Sequence, residues 1–494
     1  MTSDLFLFFF LAIVLSSHFL DANSYTRAPT SANEARNSNN DLGEPLILTH
    51  FIENGQIEEG RSLSKVGRLP RVPSNIPSYS GFITVNKTYN SNRFFWFFPA
   101  MNKDMNAPVI LWLQGGPGGS GLFSLFVMHG PYIILENGYA ELRQFTWAKE
   151  YHVIYVDNPV GTGFSFTGSD DGYVTNEDEV ADDLYEFLRQ FFLVYYEYSK
   201  NDFYITGMSY AGKYVPSIAY RIHTVGPPAE VTFKGIAIGN GWCDPETQVV
   251  NYSDYFYQLG LIDHKQALVI RNVTDQIVQN IRNRNYNTAQ RLLDNVLGHN
   301  EPGSSDPNYL LEFAGYEYSY FLLYTRLPPE ESYFEQYINL TRFRKAVHVG
   351  NLTFNSGEVV ARYMNNDIML SVKDILIEIM NNYKVLIYNG QLDLNQPYPL
   401  MVDFLHSIDW NRKEELRKAD KKIWRLRDEI AGYVHNVGDF FLVVVRSAGH
   451  IVPRDQPEYA LDLITRFINE NHTINISIKT EIKYWSLQII NFSL

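Results

Sequence analysis

The sequence predicts an α/β protein with a mostly parallel central sheet flanked by helices, broken by a helical insertion that lies over the sheet as a cap. Three observations predict it. Short continuous apolar runs, Pro108–Leu113, His152–Asp157, Lys384–Tyr388 and Phe440–Arg446, are too brief for helices and apolar on both faces, like strands buried within a parallel sheet. Helical patterns stand between such runs, and strand–helix–strand alternation favours parallel pairing. From Val249 to Asn381 the pattern changes: Tyr, Asn, Arg and Leu recur at helical spacing, as at Ile277, Ile281, Leu292, Leu293 and Val296.

Taken in order, Leu5 to Leu15 is an apolar run followed by small and polar residues up to Ser24. It reads as a secretory signal over residues 1–23, although its start carries Asp4 and no Lys or Arg. The run is short for a membrane span. Residues 24–45 are Ser-, Asn- and Ala-rich and are expected to form a mobile leader. Leu46 to Ser62 reads as an ordered arm that opens the first part of the core, 46–248. Gly81–Asn86 and Arg93–Phe98 alternate like an edge hairpin. The strand Pro108–Leu113 runs into Gln114–Gly121, a glycine cluster whose backbone N–H groups can face a ligand. A phosphate loop would need Lys-Ser/Thr after the glycines, and none follows.

Asn176 to Tyr196 reads as a helix with acidic residues near its N-terminus, where the helix dipole favours them. Phe203–Met208 and Phe233–Gly241 read as further strands. The insertion occupies 249–381, and the core resumes over 382–470 with the strands Lys384–Tyr388 and Phe440–Arg446. Between these two, the charged stretch Asn411 to Asp428 is expected to be a solvated helix. Pro457 to Ile468 closes the core as a helix, and residues 471–494 form a polar tail.

At 494 residues the chain has room for about three domains, or for one core with insertions. Its 45% hydrophobic content supports a large core. The net charge of -14 argues against a nucleic-acid partner, which needs clustered Lys and Arg. Asn-x-Ser/Thr sequons at Asn86, Asn251, Asn272, Asn339, Asn351, Asn471, Asn475 and Asn491 support a secretory route with glycosylation. The single cysteine, Cys243, cannot form an internal disulfide and is expected to be a buried small side chain, with an intermolecular bridge as the alternative.

Candidate chemistry lies at strand ends. Phe203–Met208 leads into Gly207-Met-Ser-Tyr-Ala-Gly212, a serine between small residues at a strand-to-helix turn, the nucleophile elbow of α/β-hydrolases. Tyr388-Asn-Gly-Gln-Leu-Asp393 puts a carboxylate just beyond one late strand, and Arg446-Ser-Ala-Gly-His450 puts an imidazole beyond the next. Serine needs a neighbouring base, and that base needs an acid on its other nitrogen. The order Ser209, Asp393, His450 is that of the α/β-hydrolase triad.

These motifs together, with Trp112–Ser120, Asp157–Ser165, Ile236–Gly241 and Gly449–Pro453, resemble those of serine carboxypeptidases, and most closely the vitellogenic-like branch. The resemblance spans about Tyr79 to Ile468. It implies the α/β-hydrolase fold and removal of C-terminal residues from peptides at acid pH, in a secreted or lysosomal setting. Peptide or protein C-termini would be the substrates, no cofactor or metal is implied, and a homodimer is left open. It further implies Ser209, Asp393 and His450 as triad, the N–H groups of Gly116 and Tyr210 as oxyanion hole, and Gln114, Gly115 and Ile451 as substrate-binding residues.

Two departures matter. The family places Glu before the nucleophile and a second Glu in the helix after the glycine loop. Here those positions are Met208 and Met128. Thioethers cannot donate a hydrogen bond to a terminal carboxylate. The expectation is therefore an exopeptidase with weakened free-carboxylate recognition. The alternatives are a serine esterase or acyltransferase and a non-catalytic binding protein. A zinc carboxypeptidase is the weakest, since its His50-x-x-Glu53 motif lies in the N-terminal arm away from the strands.

Overall fold

The computed structural model of the chain describes residues 41–300 and 303–469. Among them are β1 (Tyr79–Asn86), β2 (Ser91–Phe98), β3 (Val109–Leu113), β4 (Tyr132–Ile134), β5 (Ala140–Leu142), β6 (His152–Val156), β7 (Asp202–Met208), β8 (Thr232–Gly239), β9 (Lys384–Gly390), β10 (Lys422–Leu426), β11 (Glu429–Val437) and β12 (Phe440–Val445). β4 and β5 pair apart. The other ten form one sheet in the order β1-β2-β6-β3-β7-β8-β9-β12-β11-β10. The six central strands, β6 to β12 in that order, run parallel, and antiparallel strands flank them on both sides. This is the α/β-hydrolase architecture expected from the sequence.

Strand periodicity explains why both faces are covered. In β3, Val109, Leu111 and Leu113 join one buried cluster, while Ile110 and Trp112 join another. β2 divides likewise, Phe95 and Phe97 against Phe94, Trp96 and Phe98. Successive side chains point to opposite faces, so a run apolar at every position serves two cores. The helix Glu177–Val194 packs Val180, Leu184, Phe187, Leu188 and Phe191 into the first cluster. It starts where the sequence reading placed it: the Asn176 side chain accepts the Glu179 N–H, and three acids occupy the first turn.

Between β8 and β9 every regular element among the described residues is helical, from Pro245–Gln248 to Lys373–Asn382. The stretch Asn411 to Asp428 departs from expectation. Only Lys413–Lys418 is helical, and Lys422–Leu426 is strand β10, paired with an unforeseen β11. The charges conceal a two-residue alternation: Ile423 and Arg425 are exposed while Trp424 is buried and donates Nε1–H to Asp462 Oδ2 at 2.7 Å. One buried tryptophan anchors a strand whose other positions look like a helix surface.

No helix among the described residues is long and apolar enough to cross a membrane. The signal segment, most of the leader, the tail and the sequons at Asn471, Asn475 and Asn491 lie outside the described residues. Asn272, Asn339 and Asn351 are exposed, and Asn86 and Asn251 are half-buried. Cys243 is buried, with its Sγ 3.3 Å from the Gly212 carbonyl oxygen.

Candidate active site

Ser209 stands between β7 and the helix Ala211–Val225 with φ of 60°, a left-handed conformation uncommon for a residue bearing a side chain. The turn is held from the neighbouring strand: Ser209 N–H donates to the Gly239 carbonyl at 2.9 Å, and the Ser209 carbonyl accepts the Trp242 N–H at 2.9 Å.

The glycine loop after β3 lies directly on this elbow. A Cβ on Gly115 would sit 2.6 Å from the Tyr210 nitrogen, so only glycine permits the approach. Asp157, at the end of β6, fixes the far side of the loop. Its carboxylate accepts the Ser120 hydroxyl, the Gly121 N–H at 2.9 Å and the Phe164 N–H at 2.8 Å. Burial pushes this carboxyl up to about 6, against the pull of those donors. A second relay orients Gln114: Trp112 Nε1–H donates to Ser124 Oγ at 2.7 Å, and Ser124 Oγ–H donates to Gln114 Oε1 at 2.6 Å. With its oxygen engaged, the amide of Gln114 keeps its NH₂ donors for the cavity it lines.

Asp393 follows β9 and His450 follows β12, and these strands are paired neighbours. Both side chains are buried, and Asp393 Oδ2 lies 2.8 Å from His450 Nδ1. The carboxylate is saturated: Oδ2 also accepts Asn240 Nδ2–H at 2.6 Å, and Oδ1 accepts the Asn395 N–H at 2.8 Å. The His450 ring stacks on Tyr320, centroids 4.6 Å apart, and its backbone N–H donates to the Tyr320 carbonyl. Gly390 permits the crossing that joins the two loops, because any Cβ there would collide with the Gly449 carbonyl oxygen.

His450 Nε2 is buried and has no hydrogen-bond partner. His450 and Ser209 line one cavity of about 350 Å³, together with Gln114, Gly115, Gly116 and Ile451. The His450 and Ser209 side chains share the cavity without a hydrogen bond between them; an imidazole with one nitrogen fixed on a carboxylate and the other free can take and return a proton.

Comparison with known proteins fits this geometry. Residues 70–470 match the serine carboxypeptidase family, peptidase S10. The chain belongs to the serine carboxypeptidase family. It is 49% identical to the probable serine carboxypeptidase CPVL of Homo sapiens over 87% of this chain and 90% of that protein. It is 42% identical to the venom serine carboxypeptidase of Apis mellifera (86% and 91% covered) and 39% identical to the vitellogenic carboxypeptidase of Aedes aegypti (87% and 91%). Its fold is similar to that of Kex1, a prohormone-processing carboxypeptidase from Saccharomyces cerevisiae, with a TM-score of 0.69 at 22% identity over 83% of this chain and 96% of that one.

In this serine carboxypeptidase the two methionines are not equivalent. Met208 lines the cavity. Met128 is fully buried in the apolar cluster on one face of the sheet and is absent from the cavity wall. No Lys or Arg lines the cavity among the described residues; its charged side chains are Glu331 and Glu335. The nearby Arg454 is committed to Glu331 and Asp455. Among the described residues no group of three or more His, Cys, Asp or Glu could hold a metal ion, and His50 lies on the first helix, Leu48–Glu53.

Sequence reasoning passed over Asn240, Asn395 and Tyr320 as contacts of the acid and the imidazole. Only Asn240 left a trace, the run Gly239-Asn-Gly241 at a strand end, where a non-glycine residue adopts φ of 45°.

Proposed function

We propose that the chain is a serine-type exopeptidase that removes C-terminal residues from peptides through an acyl-enzyme, with weakened recognition of the free terminal carboxylate. The observation that carries this reading is the Asp393–His450 hydrogen bond, which leaves a buried, unpartnered Nε2 on the cavity shared with Ser209. His450 Nε2 takes the Ser209 proton as Oγ attacks the scissile carbonyl carbon. The carbonyl oxygen, now an anion, is held by the N–H groups of Gly116 and Tyr210. Collapse breaks the C–N bond, and the imidazolium gives its proton to the departing amine. Water then attacks the ester with His450 again as base, releasing the shortened peptide and restoring Ser209. Asp393 stabilises the imidazolium and fixes its tautomer.

Gln114 and the Gly115 N–H would receive the substrate's terminal carboxylate, with Ile451 beside the departing residue. Hydrogen bonds to a charged group contribute roughly 1.5–3 kcal/mol each, so a thioether at Met208 in place of an acid corresponds to about 10- to 100-fold in affinity for that carboxylate. Among the described residues the cavity wall carries Glu331 and Glu335 and no Lys or Arg, which favours the same conclusion and also a second reading, acyl transfer from esters or amides lacking a free acid. The sequons and the start of the chain support passage through the secretory pathway.

Two measurements test the reading. A fluorophosphonate probe is expected to label Ser209, and Ser209→Ala to lose both labelling and peptide turnover; labelling that survives the substitution overturns the nucleophile. Matched peptide acids, amides and esters, compared from acid to neutral pH, are expected to differ modestly and with little pH dependence. A strong preference for the acid confined to low pH would rule out the weakened anchor.

A further inference from the structure

Directly behind the elbow lies a buried ionic cluster that the chemistry above does not use. Tyr210 follows Ser209, and its side chain, 2% exposed, donates its hydroxyl proton to Asp367 Oδ2 at 2.6 Å. Lys213, on the first turn of the same helix and fully buried, donates Nζ–H to that same oxygen and to the Asp367 carbonyl. Its ammonium stands 5.2 Å from the centre of the Tyr210 ring. Asp367 comes from the short helix Asn365–Ile368, in the helical region between β8 and β9. The segment is tied down on either side: Trp242 Nε1–H donates to the Ile368 carbonyl at 2.8 Å, and Val372 N–H to the Cys243 carbonyl at 2.9 Å.

We propose that Asp367 is a positioning residue for the reaction: by holding the side chains of Tyr210 and Lys213 it fixes the direction in which the Tyr210 N–H faces the oxyanion. This rests on the reading of Ser209 and Tyr210 given above. A buried ion pair adds little net stability compared with apolar packing of similar volume, because both charges must be desolvated. Directional bonds to one carboxylate instead restrict the orientation of the residue next to the nucleophile. Oxyanion donors act only where their geometry is fixed before the charge develops, so small misalignments are felt in the rate.

The charge balance of the cluster fits such a clamp. Glu177, at the start of its helix, is buried nearby, and neither of its carboxylate oxygens has a hydrogen-bond partner. Burial first, and then the negative charge of Asp367, raise its carboxyl well above the ordinary range, against the pull of the Lys213 ammonium. A proton retained on Glu177 leaves one carboxylate facing one ammonium, so Lys213 and Tyr210 remain engaged with Asp367. Arg93, whose charge is felt at Tyr214, is paired with Asp183.

Tyr210→Phe removes one hydroxyl and leaves the ring and the backbone N–H. It is the variant of choice because Asp367→Asn strands a buried ammonium; Asp367→Asn with Lys213→Met serves as the second. Each is assayed for kcat and KM on a peptide substrate, for inhibition by a peptidyl aldehyde whose Ser209 adduct bears the oxyanion, and for thermal unfolding. The expected result for Tyr210→Phe is a fall in kcat of about tenfold, a matching rise in aldehyde Ki, unchanged KM and a near-unchanged unfolding temperature. The double variant is expected to show the same parallel loss in whatever fraction folds. Unchanged kcat and Ki in Tyr210→Phe overturn the proposal, as does a loss confined to KM or to stability. A wild-type protein that a fluorophosphonate does not label overturns the underlying nucleophile reading, and the positioning role with it.

Discussion

The two sides of the cavity are built to different standards. On one side the acid and the imidazole are held by neighbours: Asp393 takes donors from His450, Asn240 and Asn395, and the imidazole is stacked on Tyr320, with its Nε2 left open. On the wall that holds Gln114 and the glycine loop, Met208 offers a thioether, and among the described residues no Lys or Arg lines the cavity. On the proposed function, the contrast teaches that the bond-breaking machinery and the end-recognition machinery are separable. The first depends on groups locked by neighbours, the second on a few side chains at the wall that can change without disturbing the core.

The largest effect should come from breaking the ordered side. Asn240→Ala removes a 2.6 Å hydrogen bond to a buried carboxylate, and at roughly 1.5–3 kcal/mol for such a bond kcat on a peptide ester should fall about 10- to 100-fold with KM little changed. Unaltered kcat would mean that the other contacts suffice to orient the acid.

Sharpening the sparse side should give a gain. Met208→Glu puts a carboxyl at the cavity wall in surroundings that favour its protonated, donating form. The ratio of kcat/KM for a peptide acid over its amide should rise about tenfold at acid pH and return toward the present value as pH rises. Met128→Glu should not reproduce this, because Met128 does not line the cavity.

The smallest effect concerns stability alone. Glu177 has a folded-state pKa raised above its unfolded value, so the folded chain keeps a proton that the unfolded chain releases. Its contribution is complete at and below the ordinary glutamate range and is lost as pH rises above it, at up to about 1.4 kcal/mol per pH unit. Asp157, raised to about 6, adds a slope of the same sign between the ordinary aspartate range and that value. Glu177→Gln should flatten the fall in unfolding temperature from the ordinary glutamate range upward, leaving only the Asp157 slope up to about pH 6; denaturation series across pH distinguish the two.

What the sequence revealed follows from how local each signal is. The elbow, the glycine cluster and the late strands Lys384–Gly390 and Phe440–Val445 are each written within a dozen residues, and their apolar runs leave little choice of structure. Strand β10 was obscured because it continues a densely charged stretch, and the one position that decides the matter, Trp424, shows its role only through burial. Asn240 and Asp367 act across long separations, 153 residues from Asn240 to Asp393 and 157 from Tyr210 to Asp367, where no periodicity points from one partner to the other. Family likeness aligned Met128 with Met208, but only packing separates a side chain at the wall from one behind it.

After β8 the polypeptide leaves the sheet and comes back only at β9, which slots between β8 and β12. A ribosome therefore releases the hydroxyl-bearing elbow long before either partner of the acid–imidazole pair exists. On the proposed mechanism, an unfinished chain carries serine without its base, and proteolytic competence waits until the carboxyl-terminal strands have closed the sheet.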